Sequence, residues 1–68
     1  MTQSSWVLVC YDVRDQRRLR HTVKKLEGYG QRIQYSISRC RLAPSELQQL
    51  RWELEKIMAP EGHLLIVR

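Results

Sequence analysis

The chain has 68 residues, with twelve Lys/Arg against seven Asp/Glu and a formal net charge of +5. That length leaves room for a single small domain over residues 1–68, and no apolar stretch approaches the ~20 residues of a membrane span. Two cysteines and two histidines at wide spacing (Cys10, Cys40, His21, His63) do not make a zinc motif, and without a secretory leader they read as reduced, buried thiols in a cytoplasmic protein.

Taken in chain order, "WVLVCYD" is a short continuous run of strand formers, so a strand is expected over Trp6–Tyr11. Asp15 can then cap a helix on which Leu19, Val23 and Leu26 recur at helical spacing, and "GYG" (28–30) ends it. In "QRIQYSISRCRL" the apolar residues alternate as Ile33, Tyr35 and Ile37, then change phase to Cys40 and Leu42. A period of two cannot slip by one without a bulge or a turn, so this is one bulged strand or two tightly joined strands.

"PSELQQLRWELEKIMAPEG" predicts a second helix. Ser45 with Gln48 reads as a capping box, Leu47, Leu50, Leu54, Ile57 and Met58 form the inner stripe, and Pro60 and Gly62 stop it. "HLLIVR" closes the chain as another apolar strand. The order strand, helix, strand, strand, helix, strand predicts an α+β ferredoxin-like βαββαβ sandwich, with two helices on one face of an antiparallel sheet. The bare face of such a sheet ought to show polar residues at alternate positions, yet "WVLVCY" and "LLIV" show none. Both faces of those strands want burial, which points to a homodimer and leaves the last strand as an apolar edge.

Asp12 ends the first apolar strand, and Arg14, Arg17, Arg18, Arg20, Lys24 and Lys25 follow it with Asp15 as the one opposing acid. Spacing alone favours Asp12 as a turn former or an extra helix cap. The other reading is a ligand for Mg²⁺ or Mn²⁺ beside a phosphate, completed by a second Asp12 across a twofold axis. The arginine cluster is either a solvated helix face or a grip on a phosphodiester strand. Arg32, Arg39 and Arg41 extend the basic surface or are ordinary strand charges. Tyr35 reads as core before base platform, His21 as a surface residue, and Trp52 as packing or contact surface.

The stretch "VLVCYDVRDQRRLRHTVKKLEGYGQRIQYSISRCRL" resembles the small CRISPR-associated Cas two proteins, partners of the spacer integrase. The signs are the strand ending in Tyr11-Asp12, the Arg-rich helix start, and "GYGQRIQYSI" leading into a Cys-Arg-Leu strand before the second helix. The resemblance implies a homodimer whose paired Asp12 residues share a divalent cation. It also implies a role in spacer acquisition with the integrase subunit. The activity it implies is metal-dependent cleavage of RNA or DNA, with Asp12 catalytic and Arg14, Arg17, Arg18, Arg20 and Arg32 on the nucleic acid. Within the integration complex such proteins act as a DNA-holding scaffold, the main alternative. Ser38 stands where the family commonly has an aromatic residue. The sequence also stops at Arg68, short of the family's usual tail, which implies a weaker dimer or a truncated chain. A generic RNA-binding ferredoxin-like domain ranks last, because the chain has no Phe and no aromatic-rich strand of the G-F-G-F type.

Overall fold

The computed structural model describes residues 4–59 and 61–68. Along the chain run β1 (Ser5–Asp12), α1 (Gln16–Glu27), β2 (Gly30–Gln34), β3 (Ile37–Leu42), α2 (Pro44–Met58) and β4 (His63–Val67). The strands form one antiparallel sheet in the order β2-β3-β1-β4, with both helices on one side. This is the ferredoxin-like arrangement expected from the order of elements.

Alternation along β1 decides where the core lies. Val7, Val9 and Tyr11 point to the helices and are buried, together with Cys40 and Leu42 of β3. Against them pack Leu19 and Leu26 of α1 and Leu47, Leu50, Leu54 and Met58 of α2, with Ile57 and Val23 at the margin. Thr22 is buried beside them because its hydroxyl donates to the Arg18 carbonyl at 2.9 Å, so its one polar group is satisfied inside the helix. Lys25 of α1 and Glu53 of α2 pair at 2.7 Å across the helix–helix seam. That contact raises the lysine pKa and lowers the glutamate's, each through the hydrogen bond to the other.

The phase change in the middle of the chain has two causes. A two-residue turn, Tyr35–Ser36, separates β2 from β3, and the pairing also shifts register between Arg32 and Gln34. The expectation that Tyr35 belongs to the core is wrong, since the turn and bulge leave it 64% exposed. Gly30 does not serve to end α1 but pairs with Cys40, where an added Cβ would lie 2.0 Å from the Arg39 carbonyl oxygen. Backbone cannot yield at that distance, and glycine is what lets β2 approach β3.

The start of α2 also differs from the predicted Ser45–Gln48 box. Pro44 is the first helical residue, Ala43 precedes it as the cap position, and Glu46 accepts from the Ala43 N–H at 2.8 Å. Ser45 therefore lies inside the first turn. Pro60, expected to stop this helix, falls outside the described residues. The cysteines are both free, but they occupy opposite faces of the sheet. Cys40 is buried against the helices, and burial raises its pKa, whereas Cys10 is half-buried on the other face and not in the core.

Ser38 points into the core, and its Oγ lies 3.1 Å from the Tyr11 hydroxyl; both residues are almost fully buried. The serine thus has a structural occupation where the resemblance implied an aromatic ring. Ser38→Ala strands the Tyr11 hydroxyl, and leaving one buried polar group unpaired costs about 1–3 kcal/mol. Thermal denaturation should show a drop of at least ~4 °C in a domain of this size. Adding Tyr11→Phe should recover much of the loss, because removing both partners leaves no orphan.

Candidate metal and nucleic-acid site

The sheet face opposite the helices carries a continuous apolar strip. Register places Leu8 opposite Val67 and Arg39, and Cys10 opposite Leu65 and Ile37. Leu65 is 61% exposed and Trp6 53% exposed on this face. Arg39 and Arg41 flank the Trp6 ring, with their guanidinium carbons 4.6 and 5.7 Å from its centroid. Their aliphatic stems and planar heads partly screen the indole, so these arginines belong to the bare face and its rim. As β4 lies at the sheet's edge, its apolar residues are open both on that face and along the strand's free side.

Asp12 stands at the exposed end of β1, at one end of this strip and on the same face as Leu8 and Cys10. Its partner in register is His63, the first residue of β4. Asp12, Arg14, Glu61 and His63 line one hollow of about 340 Å³. Reading the sequence found Asp12 but passed over Glu61 and His63, which reach it through a pairing between strands about fifty residues apart. The sequence carried one cue: an acid and a histidine at facing ends of two apolar runs.

Such oxygen donors suit Mg²⁺ or Mn²⁺, and an imidazole alongside is better matched to manganese than to magnesium. Among the described residues, no three His, Cys, Asp or Glu side chains stand close enough together to hold an ion. Within one chain Asp12, Glu61 and His63 line the hollow without forming such a cluster.

After Asp12 the chain buries Val13 and turns outward at Arg14. Asp15 caps α1 as expected: its carboxylate accepts from the Arg18 N–H at 3.0 Å. This hydrogen bond, with those of Arg17 and the nearby arginine charges, lowers the Asp15 pKa. The first turn of α1 has no acidic residue beyond the cap, and Arg17 and Arg18 sit there at the positive end of the helix dipole. That placement opposes helix stability by a few tenths of a kcal/mol per charge, and is the reverse of Lys24 and Lys25, which suit the C-terminal turn. Arg14, Arg17 and Arg20 are exposed and Arg18 half-exposed; Arg14 lines the hollow beside Asp12, whereas Arg20 lines a second hollow between α1 and the β2–β3 hairpin.

Arg32 lies in the β2–β3 hairpin and lines that second hollow with Arg20. Its guanidinium donates to the Tyr35 carbonyl at 2.6 and 3.2 Å and lies over the Tyr35 ring, 5.0 Å from the centroid. Trp52 is 57% exposed on the outer side of α2 under Lys56, which makes it surface rather than packing. His21 is exposed, as expected.

A family model described as CRISPR associated protein Cas2 matches residues 5–68. The chain belongs to the CRISPR-associated protein Cas2 family. It is 43% identical over 54 residues to a Synechocystis protein named CRISPR-associated endoribonuclease Cas2 3, covering 79% of this chain and 59% of that protein. A Chlorobaculum tepidum protein named CRISPR-associated endoribonuclease Cas2 is 40% identical over 60 residues, with 81% and 62% covered. The chain thus spans about three-fifths of the length of these Cas2 relatives. Among solved structures, Streptococcus pyogenes Cas2 superposes with a TM-score of 0.87 at 31% identity, over 94% of this chain and 84% of that one. A hypothetical protein from Thermus thermophilus gives 0.88 at 28% identity, over 94% and 79%. The Cas2 likeness extends through both helices and the sheet. No helix among the described residues is long and apolar enough to cross a membrane.

Proposed function

We propose that this chain acts in CRISPR adaptation as a nucleic-acid-binding homodimer that supports spacer acquisition with the integrase subunit. In this reading it also has a weak endonuclease activity on RNA or DNA that depends on Mg²⁺ or Mn²⁺. The observation that carries it is the position of Asp12: an exposed carboxylate at the end of an uncovered apolar strip, with an arginine cluster immediately beyond. Joining two copies through that strip buries Leu8, Leu65 and Val67 and brings two Asp12 ends toward a common axis. The names of the relatives support the nuclease part at family level, since they are called endoribonucleases.

The residues divide the work. Arg14, Arg17, Arg18 and Arg20 hold backbone phosphates, and Arg14, beside Asp12, sets the register of the strand over the axis. The two Asp12 carboxylates would hold the divalent cation, with Glu61 and His63 on the wall of the same hollow. When bound, the cation neutralises phosphate charge and polarises the phosphoryl oxygen. With so few carboxylates and no buried base the catalysis is slow, and the same geometry serves a scaffold that bridges integrase subunits on DNA.

Sedimentation velocity tests the dimer. The parent should run at twice the chain mass at tens of micromolar, whereas Leu65→Glu, which puts a charge into the shared strip, should run as a monomer. Metal-dependent cleavage should disappear in the same variant. A parent that stays monomeric, or a monomeric Leu65→Glu that cleaves like the parent, overturns the shared-site reading.

A further inference from the structure

On the helix side of the sheet, away from the bare face, α1 and the β2–β3 hairpin enclose a hollow of about 360 Å³. Leu19 and Val23 supply its apolar lining, while Arg20, Lys24 and Arg32 make its walls basic; Glu27 is its one acid. At its rim lies Tyr35, which the two-residue turn leaves exposed. We propose that this hollow takes an unpaired nucleobase, stacked on the Tyr35 ring, with the flanking phosphates held by Arg20 and Lys24. The proposal rests on the reading that the chain binds nucleic acid, and it adds a preference for single-stranded or splayed ends over closed duplex.

Three observations lead to it. First, the ring is held in place. Arg32 bonds twice to the Tyr35 backbone carbonyl and lies against the ring, so the platform is ordered before a ligand arrives. A guanidinium on an aromatic ring also matches the alternation of cation and π-surface that single-strand sites use. Second, the lining joins an apolar floor to three cations, as a base attached to a phosphate chain requires and an extended duplex backbone does not. Third, the position leaves the hollow open when two chains meet through the bare face, so a dimer carries two such sites. Gln16 is the one uncharged amide in the lining, so base edges meet little hydrogen-bond readout and any of the four bases should be accepted.

The test uses the full chain with two DNAs, a blunt duplex and the same duplex with a short overhang containing 2-aminopurine. Stacking should quench the fluorophore on binding the parent. In Tyr35→Ala the quenching should vanish. The ratio of overhang affinity to blunt affinity should fall about 5- to 150-fold, the range for losing one stacked base. Tyr35→Trp, which keeps a π-face, should retain both signals. If circular dichroism shows Tyr35→Ala to be unfolded, Tyr35→Leu replaces it, keeping apolar bulk without a ring. Quenching and affinity ratio at parental values in a folded ring-free variant overturn the stacking site while leaving duplex binding intact. A parent that binds neither DNA overturns the nucleic-acid reading, and the stacking site with it.

Discussion

Asp12→Asn should abolish divalent-metal-dependent cleavage while leaving nucleic-acid binding at or above the parental level. The substitution keeps the shape of the side chain and removes the charge that attracts a cation. In a twofold dimer one mutation removes both carboxylates, so the loss should be complete rather than partial. Binding is carried by the arginines, and removing an anion close to phosphate slightly favours it. The folded state should not suffer, because Asp12 is exposed and its strand pairing to His63 is made by the backbone. Cleavage of labelled RNA and DNA is to be followed in Mg²⁺, in Mn²⁺ and in EDTA, with parent and variant purified in parallel. Spacer integration with the integrase should persist in the variant if bridging is the main task. Equal cleavage by parent and variant would assign the activity to a contaminant and return Asp12 to the role of a turn residue.

Reversing Arg17 and Arg18 to Glu has the second-largest expected effect, on binding. Each phosphate contact releases condensed counterions, so the logarithm of affinity changes by about 0.9 of a unit per decade of salt for each contact. Losing two contacts per protomer should flatten that slope by nearly two units per protomer. At 0.1 M salt this corresponds to a loss of about sixtyfold per protomer, or about four-thousandfold when both protomers touch the DNA, to which repulsion by the new carboxylates adds. Helix stability should move the other way. Two cations leave the positive end of the α1 dipole and two anions take their place, where they are favoured. Weaker binding with an unchanged or raised melting temperature is therefore the expected signature, and one that a merely misfolded variant could not give. Titration of duplex DNA at several salt concentrations decides it: parental affinity and slope in the variant would mean that these arginines only solvate the helix.

Local rules made most of the fold legible. Asp15 before a 3–4 repeat marked α1, the continuous apolar run marked β1, and the leucine stripe marked α2. Where the reading went astray, a second local rule was competing. Ser45 looked like a cap, but proline is at ease as a first helical residue, and Glu46 could reach back to Ala43. Tyr35 seemed to continue the alternation of Ile33 and Ile37, but the bulge and turn between them reset the phase. The site was less legible than the fold. Asp12 announced itself by ending an apolar run, whereas Glu61 and His63 reach it through the β1–β4 pairing, and periodicity within a segment does not specify which strands become neighbours. The basic hollow escaped notice for the same reason, since Arg20 and Tyr35 share it across an antiparallel turn of the chain.

The strand order has a further consequence for how the chain is made. Of the six elements β1 is synthesised before the others yet lies in the interior of the sheet, between β3 and β4, and its second partner β4 follows the other five. At about 5–20 residues per second, the apolar run 6–11 waits several seconds for residues 63–67. Until then its edge toward β4 is unpaired, and closing the sheet means bringing together segments separated by most of the chain. During that interval the nascent chain resembles a free β-edge more than a folded domain. Its yield in a cell should therefore depend on translation speed and holdase chaperones more strongly than on the stability of the finished sheet.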